Sequence, residues 1–381
     1  MKTRKILYIS GTRADYGLMR KTLLSIRRHP KLKIEIAVTG MHLMPEFGRT
    51  INEIKKDGFK IHKIEAIYER DSKESMANFV GKAIKLLAKE MKKIKPDMIL
   101  ILGDRGEMLA GAVVGAYLSI PVAHIHGGDV TSTVDEFSRH AITKLSHIHF
   151  AATRDAAERI KKMGENSWRI FVVGAPGLDG ILNEKLFSKK EITGKYNLNL
   201  KGPILLVVQH PCGSEIKKAG KQMQETMEAI RELGFQTIVI YPNADAGGRE
   251  MIKIIRKYGK LPFVRVFKSL PRKDYLSLMK VASVMVGNSS SGIIESSSFC
   301  LPTINIGERE KGREKAGNVI EADHKKAEIK KAILRALDKK FLAKVKKIKN
   351  PYGRGLAGPH IAQILARLNI NKKLLEKQIT Y

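Results

Sequence analysis

Short, almost wholly apolar runs rich in Val and Ile alternate with longer amphipathic stretches from one end of the chain to the other. In the first half these runs are KILYIS (5–10), IEIAVT (34–39), FKIHKI (59–64), DMILIL (97–102), PVAHIH (121–126) and HIHFAA (147–152). In the second half they are PILLVVQ (203–209), QTIVIYP (236–242), FVRVF (263–267), VMVGN (284–288) and PTINIG (302–307). Continuous apolar strands joined by helical segments mark parallel sheets covered on both faces. Between them, apolar residues recur every three or four positions, as over 76–93, which is the helical period. The rhythm weakens over 174–202, where glycine, proline and charge concentrate, so a domain boundary belongs there. The expectation is an α/β protein of two Rossmann-like, doubly wound domains facing a cleft. The first spans 1–178 and the second 179–359, with a helical segment at about 360–381 able to pack back on the first. A chain of 381 residues is long for one core and comfortable for two.

Charge and cysteine content narrow the function classes. The formal net charge is +32, which raises nucleic acid as a partner. The lysine runs, such as KKFLAKVKKIKN, are interleaved with apolar residues at helical spacing and read instead as solvated helix faces. Neither nucleic acid nor a membrane is expected as a partner. The apolar stretch from Met108 to Ala123 is broken by Gly111, Gly115 and Pro121 and falls short of the roughly 20 residues of a spanning helix. The amino terminus has no signal-peptide core, and two cysteines, Cys212 and Cys300, build neither a disulfide framework nor a zinc site. A reducing cytoplasm is the expected location.

In doubly wound folds, ligands sit beyond the carboxyl ends of the strands, so the loops that follow strands carry the chemistry. After the first strand comes GTRADYGLM, with Gly11 at the turn and a helix starting near Tyr16. This places Arg13 at a helix amino terminus, as a phosphate contact or a surface arginine. GDRGEM presents Asp104 and Arg105 before a helix near Glu107. Asp104 is an acid/base candidate or an N-cap, and Arg105 either keeps it ionised or binds phosphate. Residues 124–150 concentrate titratable groups. The alternation in HIH sends His124 and His126 to one face, and with Asp129 they form a candidate metal set. Arg139 and Lys144 nearby and the absence of zinc spacing argue against a metal. Asp135 and Arg139 stand four apart on a helix from about Val134. In the second half, His210 follows a strand as an acid, base or phosphate contact, or as a structural histidine. GNSSSGIIE opens a helix with a cradle of donors at Ser289 and Ser290, and Glu295 lies one turn in, where it could accept from ribose hydroxyls. Arg309 and Arg313 lie in a basic loop suited to phosphates.

GTRADYG, GDR, RHAITK, QHP, GNSSSG and the GxRxxGR pattern at Gly307–Arg313, in this order over residues 8 to about 318, resemble the UDP-N-acetylglucosamine 2-epimerases. The reading GTRADY rather than GTRPE favours the hydrolysing branch, which includes enzymes of sialic-acid pathways. The resemblance implies a glycosyltransferase-B-like fold and a reaction in which the C2 proton is removed, UDP is eliminated, and water adds to the 2-acetamidoglucal. It implies acid/base roles for Asp104 and Asp135 and a phosphate contact, close to the chemistry, for His210. Nucleotide or substrate contacts are implied for Arg13, Arg105, Asn243, Leu270, Ser289, Ser290, Glu295, Arg309 and Arg313. The family's HIEGGE is HIHGGD here. His126 therefore stands where a catalytic glutamate is expected, and Asp129 replaces a second one. Histidine also transfers protons near neutral pH, so the reaction the resemblance implies is hydrolysis of UDP-N-acetylglucosamine to N-acetylmannosamine and UDP. The change at His126 leaves open the same reaction on a UDP-activated 2,4-diacetamido-2,4,6-trideoxy sugar, or altered chemistry. The alternatives are a non-hydrolysing epimerase or a sugar-nucleotide glycosyltransferase. No metal and no nicotinamide cofactor are expected, since the first loop lacks G-x-G-x-x-G. The expected partners are a UDP-sugar and further copies of the chain, as a dimer or tetramer.

Overall fold

The computed structural model describes residues 3–70, 72–131, 134–183, 185–212, 215–243 and 245–380. The chain divides into two compact units: Met1–Asp129 with Val134–Asn183 and Tyr352–Tyr381, and Val130–Thr133 with Glu184–Pro351. The cut expected at 178/179 falls inside a helix of the first unit, Gly177–Asn183.

The first unit is built on β1 (Arg4–Ser10), β2 (Leu32–Val38), β3 (Lys60–Lys63), β4 (Met98–Leu102), β5 (Val122–Ile125), β6 (Ile148–Ala151) and β7 (Ile170–Val172). They form one seven-stranded sheet in the order β3-β2-β1-β4-β5-β6-β7, with every neighbouring pair parallel. The order reverses between β1 and β4, which opens a crevice at their carboxyl ends. All five side chains of β4, MILIL, are buried, as a strand covered on both faces requires. One face packs Ile6, Tyr8 and Leu100 against Met19, Leu23 and Ile26 of the Arg13–Arg28 helix. The same cluster takes in Ile361 and Leu365 of the Ala357–Arg367 helix, so the end of the chain completes this core.

The carboxyl-terminal segment is two helices, Ala357–Arg367 and Lys372–Leu375, where the sequence indicated one. The buried Asp179 carboxylate accepts the amides of Ala357 at 3.0 Å and Gly358 at 2.6 Å. It thereby neutralises the partial positive charge at that helix start. Arg169 donates to the carbonyls of His147, Leu374, Lys373 and Glu376. Lys377 Nζ reaches the Thr143 and Ser146 carbonyls and the buried Glu165 carboxylate. Glu165 also accepts from Lys144 and His149. Burial alone would raise the Glu165 pKa, but these hydrogen bonds hold it down to about 2, while burial lowers Lys377 to about 8.

The second unit carries β8 (Ile204–Val208), β9 (Gln236–Ile240), β10 (Val264–Phe267), β11 (Val284–Gly287), β12 (Thr303–Ile306) and β13 (Val319–Ala322). They form a six-stranded parallel sheet in the order β10-β9-β8-β11-β12-β13. Its reversal lies between β8 and β11. Both units are therefore doubly wound, as the alternating sequence pattern requires. No helix among the described residues is long and apolar enough to cross a membrane.

Candidate active site

In the first unit the loops after β1, β4 and β5 carry the candidate residues. Thr12 caps the Arg13–Arg28 helix and forms a reciprocal box with Asp15, so the helix begins at Arg13 and not near Tyr16. The buried Asp15 carboxylate accepts from Gly11 N at 2.9 Å, Thr12 N at 2.6 Å, the Tyr8 hydroxyl at 3.0 Å and the Ser10 hydroxyl. Ser10 is bonded in turn to His42, which burial holds near pKa 3 and therefore neutral. Arg13 occupies the first helical position with its guanidinium on Glu53.

After β4, Gly103 takes a left-handed turn with φ +79°, and Asp104 and Arg105 lead into the helix Gly106–Tyr117. Asp104 does not cap that helix. Its carboxylate instead receives Arg139, a guanidinium only 1% exposed, from the Val134–Leu145 helix. Arg139 also donates to the Asp129 carbonyl at 3.0 Å and to Glu136 at 3.2 Å. Arg105 is held by Glu107 at 3.1 Å. Glu107 is itself buried, which raises its pKa against the lowering by Arg105.

After β5 the expected alternation fails. The strand ends at Ile125, and His126 adopts φ +65°, a left-handed conformation that costs a side-chain-bearing residue roughly 1–2 kcal/mol. His124 and His126 therefore do not share a face. His124 Nε2 donates to the Gly103 carbonyl at 2.8 Å, and burial holds the ring near pKa 3. His126 Nδ1 meets Asp129 Oδ2 at 3.1 Å. No group of three or more His, Cys, Asp or Glu among the described residues is arranged to hold a metal. The loop needs Gly128, with φ +76°, because a Cβ there would stand 2.2 Å from the Ala156 carbonyl. Asp135 lies half-buried in the first turn of the Val134–Leu145 helix, where a carboxylate opposes the helix dipole favourably.

In the second unit, Asn288 clamps the main chain of His210: its Oδ1 accepts the His210 amide at 2.6 Å and its Nδ2 donates to the His210 carbonyl at 2.9 Å. This locks the loop after β8 to the loop after β11. The Asn243 amide donates to His210 Nδ1 at 3.1 Å. Nδ1 is therefore the acceptor, and the neutral ring carries its proton on Nε2. Arg309 Nη1 bonds the Asn288 carbonyl at 3.2 Å and Glu310 at 2.6 Å. Arg313 stands 2.9 Å from the same buried Glu310. Leu270 is buried in the loop after β10.

Two expectations change here. The helix opened by the serines is a single turn, Ser291–Ile294, followed by a 3₁₀ turn, Ser296–Phe299. Ser289 and Ser290 thus offer hydroxyls rather than a strong macrodipole, and Ser289 Oγ lies 3.2 Å from Ser291 Oγ. Glu295 is fully buried, and Arg272 binds both of its carboxylate oxygens. Sequence reading missed Arg272, Asn288, Glu310 and Glu107. Asn288 lies inside the GNSSSG motif and was open to selection as a turn residue.

A family model described as UDP-N-acetylglucosamine 2-epimerase matches residues 24–366. A UDP-N,N'-diacetylbacillosamine 2-epimerase (hydrolyzing) of Legionella pneumophila is 39% identical over 379 residues, covering 99% of this chain and 100% of that protein. A UDP-N-acetylglucosamine 2-epimerase of Neisseria meningitidis serogroup B is 36% identical over 333 residues, 87% of each chain. Among solved structures, a UDP-GlcNAc 2-epimerase from Neisseria meningitidis bound to UDP-GlcNAc aligns with a TM-score of 0.82 at 20% identity, covering 96% of this chain and 100% of that one.

Proposed function

Because the chain belongs to the hydrolysing branch of the UDP-N-acetylglucosamine 2-epimerase family, we propose that it converts a UDP-activated 2-acetamido sugar to the free 2-epimer and UDP. A base removes the C2 proton, the C2–H electrons form C1=C2, and the C1–O bond breaks with UDP carrying off the pair. Water oxygen then bonds C1, and C2 takes a proton on the opposite face. The observation that carries this reading is the meeting of Asp104, Arg139, His126 and Asp129 beyond β4 and β5, which supplies proton-transfer groups held by buried partners. Asp135 joins them as a further acid/base group. Arg13 and Arg105 offer charge to the diphosphate. In the second unit, His210 Nε2–H, Ser289, Ser290, Arg309 and Arg313 serve the phosphates. Asn243 and Leu270 serve the nucleoside, while Glu295, buried and bound by Arg272, supports the loop that carries the serines.

The substrate we favour is UDP-N,N'-diacetylbacillosamine, supported by the name of the relative that is 39% identical over the full length. UDP-N-acetylglucosamine is the second reading, favoured by the Neisseria relative. We further propose a homo-oligomer, supported by the exposed rings of Tyr117 and Phe137, which sedimentation velocity tests. Proton NMR in deuterated water with each UDP-sugar tests the reaction. The expected products are UDP and a free 2-epimer deuterated at C2. A UDP-linked epimer refutes the hydrolysing outcome, and a product without C2 deuterium refutes proton abstraction.

A further inference from the structure

We propose that Asp129 is a positioning residue that fixes the tautomer of His126, leaving His126 Nε2 as the base that takes the C2 proton. The inference rests on the reaction proposed above. It starts from a departure in the chain itself, HIHGGD, and from the strained turn that this string adopts. The main chain around the pair is tied down at four points. His126 N donates to the Phe150 carbonyl at 3.1 Å, and Arg159 donates to the Gly128 carbonyl at 2.6 Å. Arg139 donates to the Asp129 carbonyl at 3.0 Å, and Gly128 packs without a Cβ on Ala156. A non-glycine residue held at positive φ by such supports is the kind of strain that functional sites retain.

The side chains then settle which nitrogen is basic. His126 Nδ1 lies 3.1 Å from Asp129 Oδ2, with side-chain exposures of 11% and 4%. An ionised carboxylate only accepts, so the proton belongs on Nδ1 and the lone pair on Nε2. His126 makes no further side-chain hydrogen bond among the described residues. Asp104, by contrast, is already engaged by Arg139 and is the poorer acceptor for a carbon-bound proton. As the C2 proton moves to Nε2 and UDP departs from C1, the imidazolium faces the Asp129 carboxylate, which stabilises it. This is the division of labour by which an aspartate supports a histidine base in hydrolytic triads.

Asp129→Asn is the test. Its amide donates to Nδ1, which moves the ring proton to Nε2 and removes the base. The expected loss in kcat for deuterium exchange at C2 is at least 100-fold, with KM and the affinity for UDP unchanged. In a His126→Glu background the same Asp129→Asn change should cost far less, because a carboxylate base needs no tautomer partner. Nitrogen-15 NMR of labelled histidine should show Nδ1–H at His126 in the wild type and Nε2–H in Asp129→Asn. An active wild type with an equally active Asp129→Asn overturns this assignment alone, as does an Nε2–H tautomer in the wild type. A wild type that exchanges no C2 proton on either UDP-sugar overturns the reaction reading and this assignment with it.

Discussion

Asp104 and Arg139 lie 35 residues apart and meet because β4 and the Val134–Leu145 helix direct them to one place. Arg139 has its guanidinium spread over Asp104, Glu136 and the Asp129 carbonyl. Arg139→Leu leaves two carboxylates without that cation. Removing one partner of a fully buried pair costs about 3–5 kcal/mol. Since Asp104 is a fifth exposed, the expected loss is roughly 2–4 kcal/mol, read from a urea midpoint at unchanged m. Asp104→Asn should lower kcat by about 10²–10⁴ with little effect on the affinity for UDP, as loss of an acid/base group does, measured by C2 exchange and by calorimetric titration with UDP. Asp104 stands out in the sequence as a charged group just past a strand, and Arg139 as one within an amphipathic helix. Their pairing does not, because nothing local encodes a contact across 35 positions. The same holds for Glu295, whose place one turn after the serines was legible and whose half-buried partner Arg272 was not.

At the scale of elements, the buried strands were legible because each is a continuous apolar run. The two that sequence reading missed, Ile170–Val172 and Val319–Ala322, are both sheet edges. Val172 is half exposed, and Glu321 faces solvent, so an edge strand lacks the two-sided burial that makes its neighbours readable. The start of the first helix was legible in principle, since Thr-Arg-Ala-Asp is a capping-box string. The carboxyl-terminal strap makes a prediction of its own. A chain ending at residue 371 removes three of the four carbonyls that hold the 3%-exposed Arg169 and the Lys377 contacts to the end of the Val134–Leu145 helix. Each buried donor left unsatisfied costs about 1–3 kcal/mol. The expected result is faster hydrogen exchange over residues 143–151 and a lower denaturation midpoint for the first unit.

At the scale of the whole molecule, the two units should respond differently to acid. His42, His124 and His147, all in the first unit, are held by burial near pKa 3, 3 and 4, below the ordinary value of 6.5. Between pH 6.5 and about 4, therefore, the unfolded chain binds up to three protons that the native unit refuses, so stability falls as pH falls. The slope reaches about 4 kcal/mol per pH unit at its steepest. Glu165 adds to this below about pH 4.5, since its depressed pKa gives stability that is lost as pH drops toward 2. Lys377 acts at the other end: between about 8 and 10.5 the unfolded chain keeps a proton the native unit has released, so its contribution rises with pH. Trp168, the single tryptophan, lies in the first unit and reports its unfolding. Its fluorescence should show a transition above pH 4, while saturating UDP should protect the amides of the second unit, by about 2.7 kcal/mol at a hundredfold excess over Kd. The chain path of the first unit has one more consequence, for how the protein is made. Its core draws on both ends of the polypeptide, whereas the sheet of the second unit is one uninterrupted insert between Asn183 and Tyr352. During synthesis on the ribosome, the seven strands of the first unit emerge before the insert, yet the insert is the first to have its whole core available. The opening half must wait with an unfilled apolar face until the last thirty or so residues emerge.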